Sequence, residues 1–258
     1  MRLGVNIDHI ATLRNARQIN EPDPLFALEI LKETQAEQVT IHLREDRRHI
    51  TDFDAKRIIE NSFLPVNIEC SINPEIIEII CELKPHRATL VPERREEVTT
   101  EGGLDVIKFE DKIKKAIEKL NKNNIEVSLF IDPDFEQIKK SAALKAQMIE
   151  LHTGKYANLH LALNTNINKT PFKVFENYDK STLKKMLEDE LILIKDGAKL
   201  ANELNLEVAA GHGLNYQNVK EIASIKEISE LNIGHSIIAN SIFIGLKEAV
   251  ERMIRLIN

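Results

Sequence analysis

The feature that most constrains this chain is an alternation repeated eight times, in which a short run rich in Val, Ile and Leu is followed by a longer amphipathic stretch. The short runs are RLGVNI, AEQVTIHL, LPVNIEC, RATLVPE, IEVSLFID, AQMIELH, LEVAAGHG and ELNIGHS. Several alternate apolar and polar residues with a period of two, as half-buried strands do. Between them lie helical patterns. PDPLFALEILKETQ carries Leu25, Leu28 and Leu31 at helical spacing, with Asp23 as N-cap and Pro24 in the first turn. NPEIIEIICELK repeats the device with Asn73 and Pro74, and EDKIKKAIEKLNKNN puts Ile113, Ile117 and Leu120 on one face. SIIANSIFIGLKEAVERMIRLIN reads as one long closing helix, apolar over much of its circumference through Ile237, Ile238, Ile242, Phe243, Ile244 and Leu246. Eight strand–helix units in 258 residues predict an α/β fold, a (β/α)8 TIM barrel with extra helices, formed as a single domain over 1–258. A doubly wound open sheet is the alternative, disfavoured by the count of eight and by the lack of a Gly-rich turn after the first strand. The Asn-, Lys- and Thr-rich stretch over 164–182 reads as an exposed insertion.

Composition narrows the function classes. With 35 Lys+Arg against 41 Asp+Glu the chain is acidic, unlike a general nucleic-acid binder. The absence of Trp and the 5% aromatic content remove stacking platforms for single strands. No apolar run approaches the roughly 18 residues of a membrane span. Asp8 and His9 interrupt what would be the apolar centre of a signal peptide. Two cysteines, Cys70 and Cys81, cannot make a disulfide framework, so a reducing cytoplasm is expected, with no nucleic-acid or membrane partner.

In a barrel the C-terminal ends of the strands converge on one mouth, where catalysis is placed. Those ends carry Asn6, Asp8 and His9 (strand one), His42 and Arg44 with Arg47, Arg48 and His49 beyond (two), and Glu69 (three). They continue with Glu93 (four), Asp132 (five), Glu150 and His152 (six), Gly211-His212-Gly213 (seven) and Gly234-His235-Ser236 (eight). Five of the eight His thus lie at one rim. Alternation directs His42 and Arg44, Asn67 and Glu69, and Glu150 and His152 inward, while Val39, Ile41, Val66, Ile68, Ile149 and Leu151 face the helices. These inward polar residues are either an active site or a hydrogen-bonded structural layer.

The Gly-His loops after strands seven and eight suit a phosphate, because glycine lets backbone N–H groups approach an anion; the bland reading is tight turns alone. Arg17, Arg44, Arg47 and Arg48 are candidate phosphate clamps, although REDRR carries acids that could hold some of them in structural ion pairs. The polar loop PERREEVTTEGGLD, with Gly102 and Gly103, is a lid with a glycine hinge or a merely exposed loop. No Lys stands at a strand end, which disfavours an enzyme Schiff base. No H-x-H follows strand one, no nucleotide fingerprint is present, and Cys70 faces away from Glu69. Acid–base chemistry on a phosphorylated substrate remains, although the scattered His and Asp permit a metal.

GVNIDHIATLRNAR, TIHLREDRRHI, VNIEC, TLVPERREEVTTEGGLDV, IELHTGKYA, AAGHGLNYQNV and ELNIGHSIIANSIFIGL together resemble the pyridoxine 5′-phosphate synthase family of the vitamin B6 pathway, over nearly the whole chain. The resemblance implies a (β/α)8 barrel assembled as a homo-octamer that condenses 1-deoxy-D-xylulose 5-phosphate with 3-amino-2-oxopropyl phosphate to pyridoxine 5′-phosphate, phosphate and water, with no metal or organic cofactor required. By motif it implies His42 and Glu69 as general bases, His212 as proton donor and Glu150 as an aid to proton transfer. Asn6, Arg17, Gly213, Gly234 and His235 fall at positions that hold the amino-ketone phosphate, and Asp8, His9, Arg44, His49 and Thr99 at positions around the deoxyxylulose phosphate. The stretch from Asn164 to Thr182 is longer than the family pattern. The other readings to exclude are a phosphosugar isomerase or epimerase, which needs one substrate, and a non-enzymatic sugar-phosphate binder.

Overall fold

The computed structural model describes residues 1–93 and 102–258. Eight parallel strands close into a barrel in chain order: β1 (Arg2–Asn6), β2 (Gln38–His42), β3 (Val66–Cys70), β4 (Arg87–Leu90), β5 (Glu126–Ile131), β6 (Met148–His152), β7 (Glu207–Gly211) and β8 (Glu230–Ile233), with β8 pairing back onto β1. Each short run of the sequence contains one of these strands. The helices are α1 (Asp8–Arg17), α2 (Phe26–Leu31), α3 (Asp52–Asn61), α4 (Pro74–Leu83), α5 (Glu110–Lys122), α6 (Phe135–Ala143), α7 (Gly154–Asn164), α8 (Lys180–Glu203), α9 (Val219–Ala223), α10 (His235–Ile244) and α11 (Leu246–Ile257). No described helix is long and apolar enough to cross a membrane.

The apolar core is a ring between strands and helices. Val5, Val39, Ile41, Ile68, Val127, Leu129, Ile149 and Leu151 face outward and are fully buried, each worth roughly 1.5–3 kcal/mol of transfer free energy. Ile113, Ile117 and Leu120 of α5 are buried on one face, as their spacing requires. The barrel interior is polar instead. Arg87 Nη1 donates to Glu230 Oε1 (2.8 Å) and Gln38 Oε1 (3.0 Å), and its Nε donates to Glu126 (2.8 Å). Gln38 Nε2 and Thr40 Oγ1 both reach Asn232 Oδ1 at 3.1 Å, and Thr89 Oγ1 donates to Asn67 Oδ1 at 2.9 Å. Buried charges persist only where they are paired in this way. Below the mouth the barrel is therefore a hydrogen-bonded plug. Gly4 belongs to it, because a Cβ there would strike the Asn232 side chain.

Two helix expectations need correction. Asp23 does not cap a helix beginning at Pro24: its side chain accepts from Leu25 N at 2.9 Å, and a tight turn precedes α2, which starts at Phe26. The closing helix is two helices, because Gly245 at φ +81° breaks it between α10 and α11. Asn73 does cap α4, accepting from Glu75 N with Pro74 next in line. The irregular stretch lies between α7 and α8 and contains one short 3-10 turn, Ile167–Lys169.

Candidate active site

Strand register brings His42 beside Glu69 across the β2–β3 pair. His42 Nε2 lies 2.9 Å from Glu93 Oε1, just past β4, while its Nδ1 faces Glu69 Oε2 at 3.7 Å. Glu93 also accepts from Glu45 N at 3.0 Å. Burial works to raise Glu93, but the hydrogen bond and charge of His42 and the Glu45 amide hold it below the usual carboxylate range. A carboxylate has no proton to give, so Nε2 donates, and in the neutral imidazole the lone pair is on Nδ1, the nitrogen turned toward Glu69. Burial, reinforced by the charges of Glu150, Asp8 and Glu93, pushes Glu69 well above that range. Asp8, pushed up to about 6 mainly by burial, accepts from His42 N (2.9 Å) and Asn6 Nδ2 (2.9 Å), locking the ends of β1 and β2 together.

Across the mouth, Glu150 is buried and pushed up to about 8, chiefly by desolvation, while Asn232 Nδ2 donates to its Oε2 at 2.8 Å. Gly211 on the neighbouring strand leaves room for it: a Cβ there would collide with Glu150 Oε1. One pleat above Glu150, His152 places Nδ1 2.9 Å from Asp132 Oδ1, and its ring is 5.0 Å from that of His212. Burial, then His152, pushes His212 down to about 4, so it is neutral at pH 7 in the ligand-free protein. His212 itself sits at φ 78°, in the left-handed region, followed by Gly213 at φ +79°.

The two Gly-His loops adjoin. Ser236 Oγ donates to Leu214 O at 2.8 Å, tying them together. Gly234 immediately precedes α10, and a Cβ on Gly234 would meet the Asn6 side chain. His9 and His235 pack edge to face at 4.9 Å, and burial followed by His235 pushes His9 down to about 4. His49 lies 6.0 Å from His42 ring to ring, accepts from Ile50 N, and is pushed down to about 3 mainly by burial.

The structure thus brings together His42, Glu69, Glu150, His212, Asn6, Asp8, His9, His49, Gly213, Gly234 and His235, with Arg44 buried at the exit of β2, 3.5 Å from Asp46. Arg17 is exposed at the C-terminal end of α1. Thr99, and with it the lid, lies outside the described residues. Gly103 is no free hinge: its N donates to Asp132 Oδ1 at 3.0 Å, and a Cβ would run into the backbone of β5. Arg47 and Arg48 are ion-paired with Asp52 (2.8 Å) and Asp46 (2.6 Å), the structural alternative left open by REDRR. Sequence reasoning gave no role to Glu93, Asp132 or His152, although each stands at a strand end, and it missed Asn232, whose place on the inward face of β8 was the available signal. Among the described residues no group of three or more His, Cys, Asp or Glu could hold a metal ion.

Comparison with known proteins completes the picture. The family model described as pyridoxal phosphate biosynthesis protein PdxJ matches residues 3–258. A pyridoxine 5′-phosphate synthase of Nautilia profundicola is 80% identical over 258 residues, covering 100% of both chains. One of Wolinella succinogenes is 57% identical, covering 100% of this chain and 98% of its own. Among solved structures, phosphoribosylanthranilate isomerase of Thermotoga maritima superposes with a TM-score of 0.58 at 12% identity, covering 100% of this chain and 98% of that one. The tryptophan synthase A-subunit of Pyrococcus furiosus gives 0.58 at 12%, covering 99% and 97%. At that identity these two show the barrel fold alone.

Proposed function

The chain belongs to the PdxJ family of biosynthetic enzymes, and from that premise we propose that it is a pyridoxine 5′-phosphate synthase, joining 1-deoxy-D-xylulose 5-phosphate to 3-amino-2-oxopropyl phosphate. The amine of one substrate attacks the ketone of the other, so no enzyme lysine is required. Phosphate is then lost, water is added and lost, and ring closure gives the aromatic product. Every step moves protons, and the observation that supports this reading best is the meeting of acid–base groups in contrasting environments at one mouth. His42 offers a basic Nδ1 backed by the Glu93 carboxylate. Burial raises both carboxyls, Glu150 to about 8, so Glu150 serves first as a donor, while the raised Glu69 is the stronger base when its turn comes to take a proton. His212 acts as an acid only when an anion bound beside it favours its charged form, which ties its protonation to the arrival of a phosphate.

Two phosphate-bearing substrates need two anion sites. The Gly213 and Gly234 loops with His235 and the α10 amides are proposed to seat one, and Arg44 with His49 the other. The exposed Ile242 and Phe243 near the end of α10, at 69% and 85% exposure, support self-association, for which the octamer is the proposal. The test is product formation, followed by absorbance, with each substrate alone and with both. Product only from the pair is the expected result. Product or isomerised sugar phosphate from one substrate, or binding without turnover, would overturn the reading.

A further inference from the structure

We propose that His152, held by Asp132, is a further proton-transfer residue of this reaction, its Nε2 meeting the bound intermediate beside His212; this deepens the synthase reading and rests on it. The geometry comes from three strands. His152 closes β6 on the same inward face as Glu150, and Asp132 follows β5. Nδ1 lies 2.9 Å from Asp132 Oδ1, and Asp132 is held below the usual carboxylate range first by that hydrogen bond. An ionised Asp132 has no proton to donate, so Nδ1–H donates, and in the neutral imidazole Nε2 carries the lone pair.

That nitrogen is buried and has no hydrogen-bond partner among the described residues, although His152 is only 5% exposed. A buried polar atom left bare carries a cost that folding rarely accepts without a use. Gly154 at the start of α7 clears the space beside it, because a Cβ there would strike Nε2 and the His212 ring. Phe130 packs edge to face against His152 at 5.2 Å, fixing the ring plane from β5. The groups that bear on the pair are Asp132 from β5, Glu150 on β6 itself, His212 after β7, and Lys155 of α7, whose charge acts on Asp132. A His oriented by a carboxylate at one nitrogen and unpartnered at the other is a general-base arrangement.

In the step assigned to it, Nε2 takes one proton from the condensed intermediate during ring closure. The electron pair left behind forms the new ring double bond as the C–O bond of the hydroxyl on the neighbouring ring carbon breaks, and the imidazolium, stabilised by Asp132, gives its proton to that departing hydroxyl. The proton then leaves with departing water. No oxidant or reductant is consumed.

The experiment measures kcat, KM for both substrates and the pH–rate profile of wild-type protein, His152→Gln and Asp132→Asn. Gln can hydrogen-bond where Nε2 sits but cannot take a proton. Expected for His152→Gln is a loss in kcat of about 100-fold or more, with KM within a few fold. Expected for Asp132→Asn is a loss of about tenfold, with the acidic limb displaced to lower pH because the carboxylate no longer favours the imidazolium. A His152→Gln kcat within threefold of wild type overturns the proposal, as does an Asp132→Asn profile with unmoved limbs. Asp132 is half exposed, so its variant keeps the test decisive if His152→Gln does not fold. Wild-type protein that makes no pyridoxine 5′-phosphate would refute the synthase reading instead, a result read from the same plates before any variant is compared.

Discussion

Replacing Glu93 separates a carboxylate that drives His42 from one that merely lies nearby. Its Oε1 accepts from His42 Nε2 at 2.9 Å inside a buried pocket, and its Oε2 holds Glu45 N at 3.0 Å. A hydrogen bond to a charged group contributes about 1.5–3 kcal/mol and a neutral one about 0.5–1.5 kcal/mol. Glu93→Gln keeps an acceptor for His42 Nε2 through its one amide oxygen, turns its NH2 against Glu45 N, and at His42 replaces a charged hydrogen bond by a neutral one, a difference of about 1–1.5 kcal/mol there. Glu93→Ala removes the whole interaction, about 1.5–3 kcal/mol. At about 1.4 kcal/mol per factor of ten, kcat should fall roughly five- to tenfold in the Gln variant and roughly 10- to 150-fold in the Ala variant. The loss should appear in kcat and not in KM, because the bond strengthens only as His42 takes up its proton. The assay is steady-state product formation with both substrates, alongside thermal melting to verify folding. Equal kcat in all three proteins, or a loss confined to KM, would refute this role for Glu93.

Glu150 makes stability depend on pH with a defined sign. Its carboxyl titrates near 4.5 in the unfolded chain and at about 8 when folded. A raised folded value means that its contribution is complete below about 4.5 and is lost as pH rises through about 8, so melting temperature should decline over that window and the decline should flatten in Glu150→Gln. Gly211→Ala should cost about 1–3 kcal/mol in urea unfolding and lower kcat more than KM, since the new Cβ displaces Glu150 Oε1; a fully active Gly211→Ala protein would show that Glu150 need not sit where it does.

Much of this molecule was legible in its sequence. All eight strands follow from short β-rich runs, and side-chain alternation correctly turned His42, Glu69 and Glu150 inward. What failed had local causes. An apolar pattern continues through IFIGLK, so periodicity alone joins α10 to α11, and only the positive φ at Gly245 parts them. Asp23 carries the residue type of a helix cap, yet its side chain closes a turn two residues before the N-cap position of α2, Leu25. In the site, alternation says which residues face inward but not which of them meet across the barrel. The anchoring of His42 by Glu93 and of His152 by Asp132 depends on strand register and loop course. The plug of Arg87, Glu230 and Asn232 likewise joins residues from strands far apart in sequence. Arg47 and Arg48 show the reverse limit, since a cluster rich in arginine was largely spent on neighbouring aspartates.

The central claim is that one mouth supplies the protons for a condensation of two phosphorylated substrates. Turnover of His42→Asn and Glu69→Gln with both substrates present tests it most directly. Folded protein that has lost most product formation in each variant is the predicted outcome, and near-normal rates in both would contradict it.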